Sequence, residues 1–304
     1  MTKERFHKMT EQRPLLLDGA TGSYLKTKGM PAAGVCTEQW AYEHPEAVAA
    51  MQKAYADAGS DIIYAPTFGA NRISLGNLQL QDHTEEWNRV LVERTRQNVG
   101  DRVLVAGDLS TTGQAMEPYG TMTYDTLLDV YREQIRALSG AGADLLVAET
   151  LLSADEAMVI CDAAREICDL PLLVSFTCEG DGSLYMGGSV YEAAAAMEAM
   201  GADAVGVNCS VGPDQLGAVI AGLHETVSIP VMAKPNAGMP VITEKGEAVY
   251  SMKAEEFARH LEHLYQCGAA ILGGCCGTTP EYIREIKTRL QKVSAVLEKE
   301  SFWG

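Results

Sequence analysis

The sequence predicts a single-domain α/β protein over residues 1–304, folded as a parallel (β/α)8 TIM barrel with its core over about residues 12–292. Three observations predict this fold: eight short apolar runs, an amphipathic stretch after each run, and a polar or reactive residue near the C-terminal end of nearly every run. Near-continuous apolar runs indicate strands buried on both faces, as in a parallel sheet. In a barrel the strand ends converge on one pocket, whereas in a doubly wound open sheet, the alternative, they lie along an edge. The strand-end residues are Asp18, Thr67, Asp108, Glu149, Thr177, Asn208, Cys209, Asn236, Cys275 and Cys276.

The runs and the helical stretches alternate regularly along the chain. Thr84 before two glutamates and Ser153 three residues before Glu156 are helix start signals, and Pro280 suits a first helical turn. Glycines just before the next run, such as Gly142, suit left-handed helix ends. The predicted strands are 14–20, 60–68, 102–110, 143–150, 171–178, 203–210, 230–238 and 269–277, and the predicted helices are 45–58, 84–99, 123–140, 153–168, 189–200, 213–226, 253–266 and 280–298.

Charge and composition exclude several classes of partner. The chain has 24 basic and 41 acidic residues, and its net charge of −17 repels phosphate backbones, so no nucleic acid partner is expected. No apolar stretch reaches the roughly 20 residues of a membrane span, and the N-terminus lacks the apolar core of a signal peptide. We therefore expect a cytoplasmic protein without a membrane partner, whose eight cysteines are reduced thiols or metal ligands.

A cysteine pair, Cys275 and Cys276, lies among three glycines at the end of the last run. Successive strand residues point to opposite faces, so both sulfurs reach one point only if the backbone leaves the strand there, which glycines permit. Cys209 ends the sixth run, and none of the six histidines lies at a strand end. Three thiolates predict a zinc ion with one open position. The alternatives are a purely structural pair and a vicinal disulfide, which a reducing compartment disfavours.

A zinc ion bound by three thiolates has a negative formal charge and activates water poorly. A substrate thiol in the open position would lose its proton and stay nucleophilic, because the electron-rich complex does not quench the charge of the sulfur. A free thiol has a pKa of about 8.5 and is mostly protonated at neutral pH. The three cysteines therefore predict activation of a thiol substrate, most simply for alkyl transfer.

Two carboxylates end other runs, Asp18 at the first and Glu149 at the fourth. Both would face the same pocket and suit the ammonium group of a substrate. The backbone N–H groups of Gly19, Ala20 and Thr21 suit a substrate carboxylate. Together these groups predict an amino acid held at both ends. The alternative is that one of the acids is a helix cap or a salt-bridge partner.

Two asparagines lie beside the predicted ligands. Asn208 precedes Cys209 and is expected either to orient that ligand or to cap a helix. Asn236 ends the seventh run, and its amide oxygen is a candidate for the open zinc position when no thiol is bound; the alternative is a turn residue. The glycine-containing stretch 21–44 is expected either to cover the pocket or to be an ordinary surface excursion.

Six segments resemble one known family. They are LLLDGATGSYL, AGDLSTTGQAMEPYG, ADLLVAET, GVNCSVGP, KPNAGMP and GGCCGTTPEYI. In this order they resemble the zinc-dependent homocysteine S-methyltransferases, a family that includes betaine-homocysteine methyltransferase and the homocysteine-binding module of cobalamin-dependent methionine synthase. The resemblance implies a (β/α)8 barrel. The residues that match the site of the family are Cys209, Cys275 and Cys276 for Zn2+, Asp18 and Glu149 for the amino group of homocysteine, Gly19, Ala20 and Thr21 for its carboxylate, and Asn236 in a Pro-Asn-Ala-Gly motif.

The resemblance implies an enzyme that methylates L-homocysteine to methionine. Thr150 stands where betaine-type enzymes carry a tyrosine, which disfavours betaine as the donor. The segment 111–120, TTGQAMEPYG, is similar to the methionine synthase branch and implies methylcobalamin. Because the chain leaves no room for a cobalamin domain, this donor is expected on a separate corrinoid protein. The alternatives are a small donor such as S-methylmethionine, another thiol acceptor, demethylation of a methylated compound in a corrinoid pathway, and a non-catalytic thiol-binding subunit of a corrinoid methyltransferase complex.

Overall fold

A computed structural model describes residues 1–243 and 248–301, with side chains described as far as residue 292. Its barrel strands are β1 Leu15–Leu16, β2 Ile62–Tyr64, β3 Leu104–Leu109, β4 Leu145–Leu151, β5 Leu172–Phe176, β6 Ala204–Asn208, β7 Val231–Lys234 and β8 Ala269–Leu272. They form one parallel sheet in the order β1-β8-β7-β6-β5-β4-β3-β2. The predicted (β/α)8 barrel is confirmed.

A helix follows each strand and packs on the outside of the barrel. Ser153 caps the fourth of these helices by accepting a hydrogen bond from Glu156 N at 3.4 Å, and Pro280 opens the eighth. The sixth is preceded by a 3-10 turn at Pro213–Gln215. The barrel helices are α1 Pro45–Ala58, α2 Thr84–Val99, α3 Tyr124–Gly140, α4 Ala154–Ile167, α5 Val190–Ala199, α6 Gly217–Thr226, α7 Ala254–Gln266 and α8 Pro280–Ser301.

Successive residues of β1 show why the strand sequences are apolar without alternation. Leu15 and Leu17 belong to the cluster of side chains inside the barrel, whereas Leu16 belongs to the layer between the strands and the helices. Both faces of each strand are therefore buried, as a parallel sheet covered by helices requires.

An N-terminal helix, Lys3–Gln12, closes the end of the barrel opposite the C-terminal ends of the strands. Its sequence is mostly polar, and Phe6 is its one buried residue, so periodicity gave no signal for it. Phe6 joins the cluster inside the barrel. Further short elements lie after strand ends, where they surround the mouth of the barrel. They are helices Gly22–Lys26, Thr37–Glu43 and Arg72–Gly76 and an antiparallel hairpin of Val241–Ile242 with Ala248–Val249.

Aspartates at the N-terminal ends of strands join neighbouring strands. Asp61 N donates to Leu16 O at 2.6 Å, and Leu16 N donates to Asp61 Oδ2 at 2.8 Å, so one aspartate closes the seam between β1 and β2. The same two-bond exchange links Asp144 with Val105 and Asp203 with Leu172. The bonds between Asp61 and Leu16 join β1 and β2, the two ends of the sheet, so the sheet forms a nearly closed barrel rather than an open sheet.

These aspartates explain the repeated Gly-x-Asp sequence that precedes several strands. Gly142 and Gly201 end helices with φ angles of 88° and 86°, a conformation that favours glycine. The aspartate two residues later then begins the pairing with the previous strand. No helix among residues 1–243 and 248–301 is long and apolar enough to cross a membrane.

Candidate metal and amino acid site

The barrel opens into a pocket at the C-terminal ends of its strands, where the sequence predicts it. All three predicted cysteine ligands lie on its wall, and Glu149 lies beside them. The residues that line the pocket are Ala20, Thr21, Gly22, Ser23, Thr37, Glu38, Tyr64, Pro66, Phe68, Asp108, Glu149, Thr150, Cys209, Lys234, Cys275 and Cys276. Thr37 and Glu38 come from the predicted covering stretch 21–44, which therefore does contribute to the pocket.

The three cysteines come together although they belong to distant parts of the chain. The Sγ atoms of Cys209 and Cys276 lie 3.7 Å apart, and all three sulfurs lie within 4.8 Å of one another. A tetrahedral zinc ion with Zn–S bonds of about 2.3 Å holds its sulfurs about 3.8 Å apart. The cluster therefore fits zinc, and in the described part of the chain no fourth cysteine, histidine or carboxylate joins it.

The backbone leaves β8 just before the cysteine pair. Beyond Leu272, Gly274 N donates to Asp18 O at 3.2 Å, and Cys275 N donates to Pro235 O at 2.7 Å. These consecutive N–H groups bond to the ends of different neighbouring strands, so the pair lies in a turn, as its flanking glycines predict. Cys209 follows β6 with a φ of 47°, an uncommon conformation for a residue with a side chain.

The three thiols share protons before any metal binds. Hydrogen bonds from Cys209 and Cys275 lower the pKa of Cys276 to about 2. The corresponding bonds, together with burial, raise the pKa of Cys275 well above its usual value. Such a cluster holds one thiolate at neutral pH, and a metal bound to all three sulfurs displaces the remaining protons.

A buried lysine that the sequence analysis did not single out lies at the floor of the pocket. Lys234 ends β7, and its Nζ lies 3.6 Å from Glu149 Oε2 and 3.8 Å from Asp18 Oδ1. It also lies 4.6 Å from the centroid of the Tyr64 ring, a cation–π contact. Burial opposes the charge of Lys234, but Glu149 and Asp18 raise its pKa well above the usual value. The sequence feature that could have identified Lys234 as a pocket residue is its position at the end of an apolar run.

The two predicted carboxylates, Asp18 and Glu149, lie on either side of Lys234. Of the two, Glu149 lines the pocket, whereas Asp18 is 2% exposed and accepts a hydrogen bond from Tyr64 N at 2.9 Å. Burial raises the pKa of Asp18 to about 7, although Lys234 acts against this shift. Burial also raises the pKa of Glu149. Buried carboxylates with raised pKa values are characteristic of functional sites that gain from a cationic ligand.

Asp108 of β3 is a third acid at the pocket, and the sequence analysis noted its position without assigning it a role. Its side chain is 5% exposed, and burial together with Glu149 raises its pKa well above the usual value. Asp108 Oδ1, Glu149 Oε2, Asp18 Oδ1 and Tyr64 Oη have no hydrogen-bond partner in the part of the chain that the structure describes. Unpaired buried polar atoms are rare, so these groups indicate a ligand site.

Two residues of the predicted carboxylate-binding turn, Gly19 and Ala20, make contacts within the protein. Ala20 N donates to Thr278 Oγ1 at 3.1 Å and is therefore not free for a ligand. Gly19 lies against Tyr55, since a Cβ at Gly19 would stand 2.6 Å from the tyrosine ring, so this glycine is required for close packing. Thr21 does line the pocket.

Asn208 positions the residue next to Glu149. Its Nδ2 donates to Thr150 Oγ1 at 2.7 Å, and its Oδ1 accepts from Thr150 N at 2.8 Å. These bonds hold Thr150 at a φ of 62°, which is strained for a β-branched residue. Asn208 is thus neither a pocket residue nor a helix cap, and it supports the backbone beside the Glu149 carboxylate.

Asn236 links the two segments that carry the cysteines. Its Nδ2 donates to Ser210 O at 3.0 Å, and its Oδ1 accepts from Cys276 N at 3.1 Å. The amide oxygen, predicted as a candidate metal ligand, is therefore already engaged as an acceptor. In this structure Asn236 holds the segments after β6 and β8 together.

Fold and site together define the class: a (β/α)8 barrel with a three-cysteine cluster and buried acids at the C-terminal ends of its strands. The family model for homocysteine S-methyltransferases matches residues 15–290. The chain therefore belongs to the homocysteine S-methyltransferase family, which confirms the resemblance.

Individual relatives agree with this assignment. The chain is 30% identical over 295 residues to the methionine synthase of Mycobacterium leprae, covering 90% of this chain and 24% of the relative. It is 28% identical over 302 residues to the methionine synthase of Mycobacterium tuberculosis, covering 93% and 25%. The chain thus spans about a quarter of the length of these curated relatives.

Solved structures show the same fold. The metallated form of the homocysteine methyltransferase MmuM from Escherichia coli matches with a TM-score of 0.76 and 22% identity, over 93% of this chain and 98% of that one. The oxidised form matches with a TM-score of 0.75 and 22% identity, over 95% and 100%.

Proposed function

We propose that this chain binds Zn2+ through Cys209, Cys275 and Cys276 and transfers a methyl group to the thiolate of L-homocysteine, giving methionine, with methylcobalamin on a separate corrinoid protein as the donor. The observation that carries the proposal is the approach of three sulfurs from two distant segments to within 4.8 Å, on the wall of a pocket with buried carboxylates. The membership of the homocysteine S-methyltransferase family supports the choice of substrate.

The proposed chemistry needs little acid–base catalysis from the chain. Zinc, when bound, supplies a position at which the substrate thiol is held as a thiolate at neutral pH. The reaction forms one C–S bond on homocysteine as the bond between the methyl group and its donor breaks, and the thiol proton leaves to solvent. The residues of the chain bind and orient the amino acid and exclude water.

The charges of the pocket suit the ammonium group of an amino acid. Glu149 lines the pocket close to Cys276, and burial raises the pKa of its carboxyl, so a cationic partner stabilises its ionised form. Thr21 lies on the wall formed by the segment after β1, where we place the substrate carboxylate. The amino acid then spans the pocket with its thiol toward the cysteines.

The surface around the pocket supports a large donor. Tyr119, after β3, is 91% exposed, and the hairpin after β7 exposes Val241 and Ile242 by 64% and 63%. Exposed apolar side chains mark a docking site for another protein when they form one patch, and we place the docking of the donor protein on this side of the barrel. In the described part of the chain, every exposed large hydrophobic side chain lies between the end of a strand and the first turn of the next barrel helix. They are Val35, Phe68, Leu78, Tyr119, Tyr124, Tyr185, Met186, Met239, Val241, Ile242 and Val249.

A donor screen tests the proposal. The zinc-loaded protein is incubated with homocysteine and either free methylcobalamin, S-methylmethionine or a methylated corrinoid protein, and methionine is measured by mass spectrometry. Turnover that requires the corrinoid protein supports the proposal. Turnover with S-methylmethionine alone favours the small-donor enzyme. Homocysteine binding without turnover under any condition favours the thiol-binding subunit of a larger complex.

Cysteine variants test the metal site separately. We expect Cys276→Ser to lower the zinc content from about one ion per chain to near zero, because two thiolates and a hydroxyl form a much weaker site. Cys168→Ser is the matched control, since Cys168 lies outside the pocket and its thiol does not join the cluster. Equal zinc content in the two variants would contradict the proposed ligand set.

A further inference from the structure

Two segments that line the pocket meet behind its wall. The first is the segment after β1, residues 18–23, in which Thr21 lines the pocket. The second is the turn 274–278 after β8, which carries Cys275 and Cys276. Because β1 and β8 pair in the sheet, the two segments leave the barrel side by side.

Thr278 connects these two segments. Its Oγ1 accepts a hydrogen bond from Ala20 N at 3.1 Å and donates one to Cys275 O at 2.7 Å. Tyr55 of α1 adds a second connection, because its hydroxyl oxygen lies 2.9 Å from Ala20 O and 3.3 Å from Thr278 O. One threonine hydroxyl group therefore links the backbone of a predicted metal ligand to the segment after β1.

Two further hydrogen bonds join the same segments on either side of this link. Gly274 N donates to Asp18 O at 3.2 Å, and Gly277 N donates to Ser23 Oγ at 3.0 Å. Ser23 lines the pocket. The turn and the segment after β1 are thus held in one position relative to each other.

The Thr278 side chain lies inside the protein rather than in the pocket. It is 1% exposed, and it is not among the residues that line the pocket. A Cβ at Gly274 would stand 2.6 Å from the Thr278 Oγ1 and Cγ2 atoms, so this glycine leaves the space in which the side chain folds back over the turn. Thr278 therefore acts on a ligand only through the two segments that it joins.

The composition of the turn explains why a metal would affect its conformation. Two of its five residues are glycines, which have wide conformational freedom, and Gly277 has a φ angle of 83°. A metal ion bound to Cys275 and Cys276 holds both side chains in place and so restricts the backbone of the turn. Through Thr278 this restriction extends to the segment after β1.

We propose that Thr278 is a positioning residue that couples metal binding at the turn 274–278 to amino acid binding at residues 18–23. This inference rests on the proposed function, which places zinc at the cysteines and the substrate carboxylate at Thr21. The coupling is reciprocal: a metal that restricts the turn orders the segment after β1 for the amino acid, and a bound amino acid raises the metal affinity by the same factor.

L-Norvaline tests the coupling, because it has the shape of homocysteine with a methyl group in place of the thiol. An effect of zinc on its affinity therefore does not come from a zinc–sulfur bond. Its binding is measured by calorimetry with the metal-free and the zinc-loaded protein, both with reduced cysteines. We expect zinc to raise the affinity for norvaline about fivefold or more.

Thr278→Val assigns this effect to the threonine hydroxyl group, since valine keeps the shape of the side chain and the charge of the site. We expect the effect of zinc on norvaline affinity to fall to about twofold or less in this variant. Thr288→Val is the matched control, because Thr288 lies exposed on α8, where its hydroxyl donates to Arg284 O at 2.9 Å. This control should keep the wild-type effect of zinc. Zinc content and urea unfolding, measured for each variant, separate a loss of coupling from a loss of metal or of fold.

Tyr55→Phe provides a second test that does not depend on the folding of Thr278→Val. It removes the hydroxyl group that contacts Ala20 O and Thr278 O and keeps the aromatic ring against Gly19. We expect the effect of zinc on norvaline affinity to fall about twofold in this variant. A wild-type effect of zinc in every variant that folds would overturn the inference.

The wild-type protein separates failure of this inference from failure of the proposed function. If homocysteine and zinc both bind, but norvaline either does not bind or binds equally with and without zinc, the inference fails and the proposed function stands. If the wild-type protein binds neither zinc nor homocysteine, the proposed function fails, and this inference fails with it.

Discussion

Acidic residues lie at both ends of the barrel, but their hydrogen bonding differs. At the N-terminal ends of the strands, Asp203 accepts a bond from Leu172 N at 3.0 Å and pairs with Lys3 at 3.1 Å. At the C-terminal ends, the acids each retain a buried oxygen without a partner among the described residues. The paired acids are Asp61, Asp144 and Asp203, and the acids with an unpaired oxygen are Asp18, Asp108 and Glu149.

The comparison shows that neighbouring groups, rather than residue type, decide what a buried acid does. At one end, a strand N–H and a basic side chain satisfy each aspartate, so the acid stabilises the seam between two strands. At the other end, the acids face a pocket with one lysine among them, and a ligand is needed to complete their pairing. Stability is therefore expected to depend on the first group and ligand binding on the second.

The largest expected effect is a gain of stability when an acid at the pocket loses its charge. Burial raises the pKa of Asp18 from 3.8 to about 7, so its ionised form destabilises the empty protein at pH 8 by as much as about 4 kcal/mol. Asn is neutral and can still accept the bond from Tyr64 N. We expect Asp18→Asn to raise the free energy of unfolding in urea at pH 8.

The pH dependence of this gain provides its control. A raised pKa in the folded state means that the stability contributed by Asp18 is fully present below pH 3.8 and is lost as the pH rises through about 7. The advantage of Asp18→Asn over the wild type should therefore grow by about 3 kcal/mol between pH 5 and pH 8. A variant that is less stable than the wild type at pH 8 would contradict this account.

The opposite effect is expected at the other end of the barrel. Asp203→Ala leaves Leu172 N without its acceptor and removes the ion pair with Lys3. The lost buried hydrogen bond and partly exposed ion pair should lower the free energy of unfolding by about 2–3 kcal/mol. Homocysteine affinity, measured by calorimetry, should remain at the wild-type value. A loss of homocysteine affinity without a loss of stability would contradict the proposed difference between the acids at the two ends of the barrel.

A smaller effect is expected on the pH dependence of substrate selection. The raised pKa of Asp108 means that its ionised fraction increases with pH, and only the ionised form attracts an ammonium group. The ratio of homocysteine affinity to the affinity of 4-sulfanylbutanoate, a thiol acid of the same length without the amino group, should therefore rise as the pH increases, by at most about tenfold per pH unit. Both ligands carry an aliphatic thiol that is mostly protonated near neutral pH, so ionisation of the thiol changes the ratio little. A ratio that does not rise with pH would contradict contact between a buried carboxylate of the pocket and the ammonium group.

The smallest effect is expected at Tyr64. Its hydroxyl is buried without a hydrogen-bond partner among the described residues, whereas its ring contacts Lys234. Tyr64→Phe keeps the cation–π contact and should stabilise the empty protein by about 1 kcal/mol in urea unfolding. If homocysteine affinity falls tenfold or more, the Tyr64 hydroxyl donates a hydrogen bond to the substrate, and Tyr64 is then a substrate-binding residue.

The local sequence pattern was sufficient to predict the strands and helices of the barrel and to identify the three cysteines as candidate ligands. The alternation of apolar runs and amphipathic stretches predicted every barrel strand and helix, because each unit buries its own faces. Gly273 and Gly274 indicated where the backbone leaves β8, and Cys209 stood at an equivalent strand end. The helix Lys3–Gln12 was missed because its single buried side chain, Phe6, leaves no periodicity.

The polar contacts of the pocket could not be predicted in the same way. Ala20 N donates to Thr278 Oγ1, and Cys276 N donates to Asn236 Oδ1; these hydrogen bonds join residues that are 258 and 40 positions apart in the chain. Lys234 lies near both Asp18 and Glu149 only because the C-terminal ends of β1, β4 and β7, which are not neighbours in the sheet, converge at one mouth of the barrel. Strand-end position alone does not distinguish a ligand-facing acid from an internal one.

The order of apolar and polar residues along the chain thus determined the barrel, the end at which its pocket forms and the residues that could bind a metal there, because burial of strand and helix faces follows local periodicity. The tertiary structure alone determined which of those polar groups satisfy one another and which remain unpaired. That distinction depends on distances of a few ångströms between segments that are far apart in the chain. It decides which acids stabilise the barrel and which are available to bind a ligand.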